Sequence, residues 1–448
     1  MNHKPTPIFL RSAIVCFCLM LLLSGLASAA RAQSSAADWL AFGSSENRGA
    51  PEVTLLQADA QSITISVDAD GVGITPVNID GQTYLNLSGE GFGKSAEIAA
   101  PALPVILRDV EVPFGAQVSV EILSATSKST SLANLGLEDV IAPRQPSQSK
   151  CAEAQGAVPP DEQVYALQKA YPGELVRVVD EYVVRGHRVV QLEIAPVQYT
   201  PASGALDTFS HITFRLKLEG SDMAATYAEA DRLNSKGFNE LYARKVLNYN
   251  QGRPLTLPKN PENYLIITAD AYESGLSAFV SLKQSQGFNV SLANISTVGG
   301  NTTTAIKNYI KNQYLGANPP DYVLLVGDYN NGADSITNYQ FRTGGSNRTD
   351  LYFFTMDNET EFVPDIFYGR FPVRNTTQLA SMVAKLQIYA ARSGQEAWVK
   401  KAAFLATSDT GWYQVAEATH NYVIDSYTLP KGYSGIFPTN PMPGGDKL

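Results

Sequence analysis

Cysteine is scarce in this chain: of 448 residues only Cys16, Cys18 and Cys151 carry a thiol, and the first two lie close to the N-terminus. Once that terminus is removed a single thiol remains, which excludes an internal disulfide, so the cores must hold by burial alone. Histidine is nearly as rare, with His3, His187, His211 and His420 the full set, and this argues against a histidine-rich metal centre. A basic excess is missing too. Lys and Arg number 34 against 43 Asp and Glu, for a net charge of −9, so no nucleic acid is expected as a partner. Beyond the N-terminus no apolar run is long enough to span a bilayer, and no transmembrane anchor is expected.

The N-terminus itself is rich in what the rest lacks. Lys4 and Arg11 precede the run "SAIVCFCLMLLLSGLASA", and Ala30 and Ala32 offer an A-x-A cleavage site before Gln33. A membrane anchor is the competing reading, but the apolar core is short and small residues follow it at once. Residues 1–32 are therefore expected to be a signal peptide, and the protein to be secreted or held at the cell surface after cleavage near Ala32. Cys16 and Cys18 leave with it. Cys151 lies in "PSQSKCAEAQGAVPPDE", which has neither strand nor helix pattern. A catalytic thiol needs a fixed base and a pocket that lowers its pKa, so Cys151 is expected to be a plain surface thiol.

From about Pro51 to Gly220 the pattern has period two, within a β-rich domain read as residues 33–220. "SITISVD" from Ser62, "QVSVEIL" from Gln117, "RVVQLEIAPVQY" from Arg188 and "HITFRLKLEG" from His211 alternate apolar and polar residues, with turn signals between them. Half-buried antiparallel strands of this kind pack as a β-sandwich. His187 and His211 fall on these strands, and the His187 imidazole is expected to face solvent. Residues 221–261 are polar, partly helical in pattern, and read as a linker. Its basic residues Arg244, Lys245, Arg253 and Lys259 are candidate processing sites, since exposed basic residues in mobile chain invite trypsin-like cleavage.

After Asn263 strands alternate with helices. "NYLIITAD", "FNVSL", "DYVLLVGD", "PDIFYGRFPV" and "KAAFLATSD" read as strands, and the segment after Thr302 puts Ile306, Ile310 and Tyr314 on one helix face. Such β-α-β order gives a largely parallel sheet covered on both sides, hence its apolar strands. Three strands end alike, in Asp270, Asp328 and Asp409, at the carboxyl edge where open α/β sheets bind ligands. A shared acidic rim suits a basic substrate group or a structural Ca2+. Asp also commonly starts turns and caps helices, and each of the three has that ordinary role open to it.

"YVLLVGD", "RTDLYFFTMD" and "VPDIFYGRFPVRNTTQLASMVAKLQIYA" together resemble the first half of the catalytic domain of gingipain-type cysteine endopeptidases. The likeness covers about residues 262–448, and "PALPVILRDVEVPFGAQVSVEI" with its surroundings is similar to that family's inhibitory propeptide. The resemblance implies a secreted zymogen: a β-sandwich prodomain docked on a caspase-like α/β domain that hydrolyses peptide bonds in proteins through a Cys–His dyad, with no cofactor required. It also implies a Gly-His-Gly loop and a strand-edge cysteine, and this sequence has neither. His187 is preceded by Gly186 but followed by Arg188, and His420 lies in the helical pattern "EATHNYVID". The expectation is an incomplete α/β domain, an inactive chain as it stands, no catalytic residue among these 448, and a dyad beyond Leu448. Two other classes fit less of the sequence. One is a non-catalytic exported binding protein on the same scaffold. The other is a metal-assisted hydrolase using Asp328, Asp350 and Asp365, which would need histidines or a denser carboxylate cluster.

Overall fold

The computed structural model describes residues 38–45, 47–147, 156–249, 261–341, 347–358, 361–406 and 413–433. The signal-peptide region, Cys151, Arg253, Lys259 and Asp409 lie outside the described residues.

Among the described residues twelve strands make up the N-terminal part: β1 (Trp39–Ala41), β2 (Glu52–Ala58), β3 (Ser62–Asp68), β4 (Gly71–Ile79), β5 (Gln82–Ser88), β6 (Gly93–Lys94), β7 (Pro104–Glu111), β8 (Gln117–Ser131), β9 (Val176–Val184), β10 (His187–Ile194), β11 (Val197–Thr200) and β12 (Ala205–Glu219). All their pairings within sheets are antiparallel. The long strand β12 organises one sheet, with β8 paired along its length while β11 and β3 share the other side. A second sheet has the order β6-β7-β10-β9. Alternation explains how the two meet. Ile63, Ile65 and Val67 of β3 and Ile212, Phe214 and Leu216 of β12 share one core with Ile106 and Val110 of β7 and Val190 and Leu192 of β10. A third, smaller sheet of β1, β4 and β5 covers a separate cluster around Leu40, Val72 and Leu87.

The segment read as a partly helical linker carries two packed helices among its described residues. Helix α1 (Met223–Arg232) is capped by Asp222, whose carboxylate accepts from Ala225 N. Helix α2 (Lys236–Lys245) buries Phe238 and Tyr242 and carries Arg244 and Lys245 in its last turn. Its first turn is held by a residue far along the chain: Glu262 Oε1 accepts from Ser235 Oγ and Gly237 N, both at 3.0 Å. A carboxylate there meets the positive end of the helix dipole.

The C-terminal part follows the expected alternation. β13 (Glu262–Thr268), α3 (Ser277–Ser285), β14 (Phe288–Asn294), α4 (Thr303–Leu315), β15 (Tyr322–Val326), the short pair β16 (Tyr339–Gln340) and β17 (Arg348–Thr349), β18 (Phe367–Phe371), α5 (Thr376–Ala390) and α6 (Tyr413–Val423) occur in that order. The main sheet is wholly parallel, β14-β13-β15-β18. Its core takes Phe279 from α3, Ile306, Ile310 and Tyr314 from α4, and Leu379 and Val383 from α5. One expectation fails. "KAAFLATSD" does not form a sheet strand among the described residues; 401–406 run outside the named strands with a single bridge position at Phe404. Its apolar run from Ala402 to Ala406 is that of a buried strand, but within the described part no neighbouring strand pairs with it in a ladder, and a strand alone is not stable.

Candidate functional site

The chain leaves β13 for β14 on one side and returns to place β15 on the other, so the strand order reverses between β13 and β15. The crevice beyond the carboxyl ends of two such strands is where open α/β sheets take ligands. Asp270 and Asp328 both stand there.

Gly327 makes the position of Asp328 possible. Its φ of +142° is one that side chains rarely adopt, and a Cβ would come within 3.1 Å of Ile336 Cγ1 and 3.2 Å of Asp334 O. The chain then bonds Asp328 N to Val373 O at 3.0 Å and turns its carboxylate toward the segment after β18. Asp328 is 6% exposed, and its oxygens accept from Tyr329 N at 2.7 Å and Arg374 Nε at 2.5 Å. Burial pushes the Asp328 pKa up, but the Arg374 and Tyr329 hydrogen bonds, with the charges of Arg374 and Arg370, outweigh it and hold the carboxyl below its ordinary value. The Arg374 side chain is 62% exposed. The rim acid is thus paired, by a cation that lies largely in water. Asn331 completes this corner, donating to Arg374 O at 2.8 Å and Tyr272 Oη at 3.2 Å.

Asp270 opens the turn after β13 and is exposed. Its oxygens accept from Ser296 Oγ at 2.5 Å and Ser296 N at 3.1 Å, tying together the loops after β13 and β14. The Ser296 hydroxyl and then the Ser296 N–H hold its pKa below the usual carboxylate range.

No pattern in the sequence announces the arginine that organises this edge. Arg370 of β18 donates through Nε and Nη2 to the two oxygens of Asp350, at 2.8 and 2.7 Å. Its Nη1 donates to Gly327 O and Ile336 O, both at 2.8 Å, and Nη2 to Thr337 O at 3.2 Å. Only the motif "GRFP" marked it, as part of a resemblance. Asp328, Asp350 and Asp365 therefore form no common metal set: each has its own partner, and Asp365 precedes β18 at the opposite end of the sheet.

A carboxylate cluster does occur at that opposite end. Asp357, Glu361 and Asp365 bring one oxygen each within 4.8 Å of one another. Asp365 is fully buried, and its two oxygens accept from Arg185 N at 2.5 Å and Met356 N at 2.6 Å. Burial first, and the Asp357 charge second, push Asp365 up to about 7. Burial, followed by Glu361, raises Asp357 to about 6. Two such carboxyls relieve their repulsion by retaining a proton.

The histidines are elsewhere. His187, expected to face solvent, is buried: its Nδ1 lies 2.7 Å from Glu111 Oε1 and its ring packs against Tyr242 and Tyr249. Period two had put it on the outer face of a two-layer domain, but α2 covers that face. His211 pairs with Asp68 at 2.7 Å and Thr213 at 2.9 Å. His420 is on α6 beside Phe404. No cysteine occurs between 257 and 448, and none lies among the described residues.

A β-rich domain comes first, and an α/β domain with Asp270 and Asp328 at the carboxyl edge of a parallel sheet follows it. The comparisons give this pair of domains a family. Residues 43–251 match the family Propeptide_C25, and residues 257–448 match Peptidase family C25. The chain belongs to the C25 peptidase family and is a precursor of the gingipain type. Among curated proteins it is 26% identical over 376 residues to Lys-gingipain of Porphyromonas gingivalis, covering 82% of this chain and 21% of that one. It is 26% identical over 405 residues to Gingipain R1 of the same organism, covering 86% of this chain and 38% of the relative. The chain therefore spans about a fifth to two fifths of the length of these relatives. Similar solved structures include one on the zymogenic latency of gingipain K, with 24% identity and a TM-score of 0.36 over 41% of this chain and 98% of that one. Another is a complex of the RgpB pro- and mature domains, with 21% identity and a TM-score of 0.38 over 45% of this chain and 98% of that one.

Proposed function

We propose that this chain is part of the precursor of an exported cysteine endopeptidase that hydrolyses peptide bonds in proteins through a Cys–His dyad located beyond Leu448. The observation that carries this is the succession of a propeptide match and a peptidase match in one chain, with no cysteine in the peptidase match. A cysteine peptidase needs a thiolate beside an imidazole. Cys151, His187 and His211 fall within the propeptide match, so the nucleophile must come from sequence outside these residues. On this reading residues 33–220 form a β-sandwich prodomain docked on a caspase-like domain, the leader ends near Ala32, and the mature protein is secreted or surface-held.

The carboxyl rim is then the substrate side. Asp328 already holds a guanidinium, that of Arg374, and the exposure of Arg374 makes it exchangeable for a basic side chain of a substrate or for a structural Ca2+. Relatives named for Lys and for R are consistent with a basic substrate residue. The test compares this chain with the longest reading frame that contains it, on fluorogenic peptides ending in Arg or Lys. The 448-residue chain should be inactive and the longer product active, with iodoacetamide abolishing the activity. A longer product that binds peptides without cleaving them would instead make this an exported binding protein. In the active product, Asp328→Asn should weaken cleavage after basic residues or remove a Ca2+-dependent rise in Tm.

A further inference from the structure

The tip of a β-hairpin is normally wet. The tip joining β9 to β10 is not: Arg185 there is 1% exposed, and the hydrogen bonds of its side chain go to residues outside the two strands it joins. Nε donates to Leu233 O at 3.0 Å, Nη1 donates to Pro320 O and Asp365 O, both at 2.9 Å, and Nη2 pairs with the Asp321 carboxylate. The guanidinium lies 4.9 Å from the centre of the Phe238 ring. Its own backbone N–H donates to Asp365.

Backbone geometry makes the placement costly. Arg185 has φ +45° and Gly186 φ +77°, the paired left-handed angles of a tight two-residue hairpin turn. The turn between β4 and β5 has the same form at Asp80 and Gly81, with the Asp-Gly pair such turns favour. An arginine in the first position is poorly suited to the turn, so its side chain, not its backbone, accounts for its presence.

We propose that the amino end of the parallel sheet is a receptor for an arginine side chain, and that the prodomain fills it with Arg185 to latch the precursor's two domains together. Asp321 directly precedes β15 and Asp365 lies two residues before β18, so the receptor lies at the end of the sheet opposite the Asp328 rim. Its oxygens match a planar fork of donors: two carbonyls and one carboxylate from the peptidase side, with one carbonyl and one aromatic face from α1–α2. Neighbouring contacts belong to the same joint. Glu262 holds the start of α2, Arg232 Nη1 donates to Tyr314 O at 2.8 Å, and a Cβ on Gly237 would come within 2.7 Å of Tyr322 Oη and 2.9 Å of the Phe367 ring. The chemical class recognised is a guanidinium. An ammonium has neither the fork nor the flat face to stack on Phe238.

The inference deepens the prodomain reading and needs no peptidase activity, so its test stands apart from the test of that reading. In the full chain, residues 250–260 are replaced by the recognition sequence of a site-specific protease, the chain is cut there, and the two halves are followed by size-exclusion chromatography over a dilution series. The native halves should co-elute. Those of Arg185→Gly and Arg185→Lys should separate at concentrations at least tenfold higher than the native pair. Arg185→Gly relieves the left-handed backbone, so hairpin folding is preserved, and far-UV circular dichroism of the uncut variants checks this. Native halves that separate on cutting, or glycine-variant halves that stay together as tightly as native, overturn the proposal.

Discussion

Arg370 grips Asp350 with two parallel hydrogen bonds of 2.8 and 2.7 Å while the same guanidinium caps the carbonyls of Gly327 and Ile336. One side chain of β18 thereby fixes the loop that carries Asp328. Both partners are mostly buried, with 12% and 18% of their side chains exposed, so this pair is not a surface ion pair of small worth.

Arg370→Lys should therefore be costly although the charge is kept. Lysine reaches one or two of these acceptors and leaves the others buried and unpaired, a loss of about 2 kcal/mol for the charge-assisted bonds given up. Urea unfolding of the 448-residue chain measures it. A change below about 0.5 kcal/mol would mean that the loop repacks without the fork.

Asp328→Asn should cost less, about 1 kcal/mol at neutral pH, because Arg374 is largely in water while Tyr329 N–H keeps an acceptor. The sign of its pH dependence follows from the lowered pKa of Asp328. A carboxyl held below its unfolded value stabilises the fold above that value and loses this as pH falls through the folded pKa. The gap in Tm between variant and native should thus be full at pH 6 and shrink below about pH 4. A gap that is the same at both ends would mean that the Arg374 pair adds nothing.

Asp365 predicts the opposite trend. Its pKa of about 7, against about 4 in an unfolded chain, means that the fold holds the proton more tightly, so stability is lost as pH rises from about 4 to about 7. Burial is the larger cause and the charge of Asp357 the next, so Asp357→Asn should lower the Asp365 pKa without touching its bonds to Arg185 N and Met356 N. Native Tm should fall between pH 5 and pH 7.5, and the fall should be smaller in Asp357→Asn. Carboxylates held low, such as Asp270 and Asp328, act below this window and do not mask it. A native Tm that rises across it would contradict the assignment.

What the sequence revealed and what it hid divide along one physical line. Period two around Ile212, Phe214 and Leu216, and helical spacing of Ile306, Ile310 and Tyr314, place side chains relative to their own element, and those residues are core in the structure. The acids after β13 and β15 stand at the carboxyl edge for the same reason, since a parallel sheet puts every strand end on one side. No local pattern marks Arg370, Arg374 and Arg185, because their roles depend on partners 20, 46 and 136 positions away. His187 was misplaced for the same cause: its outer face is covered by Tyr242 of a helix that its own strand pattern does not announce.

The folded state of residues 221–245 changes where the precursor should be cut. Trypsin-like enzymes need several residues of extended, accessible chain, and basic residues inside a packed helix do not offer it. Arg244 and Lys245 close α2, whose Phe238 and Tyr242 are buried and whose Tyr242 Oη donates to Val184 O at 2.8 Å. Unwinding that turn would also disturb the cover over His187. Of the remaining candidates, Arg253 is followed by Pro254, whose fixed ring hinders the residue after a scissile bond, whereas Lys259 is followed by Asn260. Limited trypsin treatment of the folded chain should therefore cut first after Lys259, and mass spectrometry of the earliest products should find Asn260 as a new N-terminus. Lys259→Gln should slow this first cut without changing Tm. First cuts after Arg244 or Lys245 would show that α2 opens more readily than its buried aromatics allow, and would move the processing site into the helix.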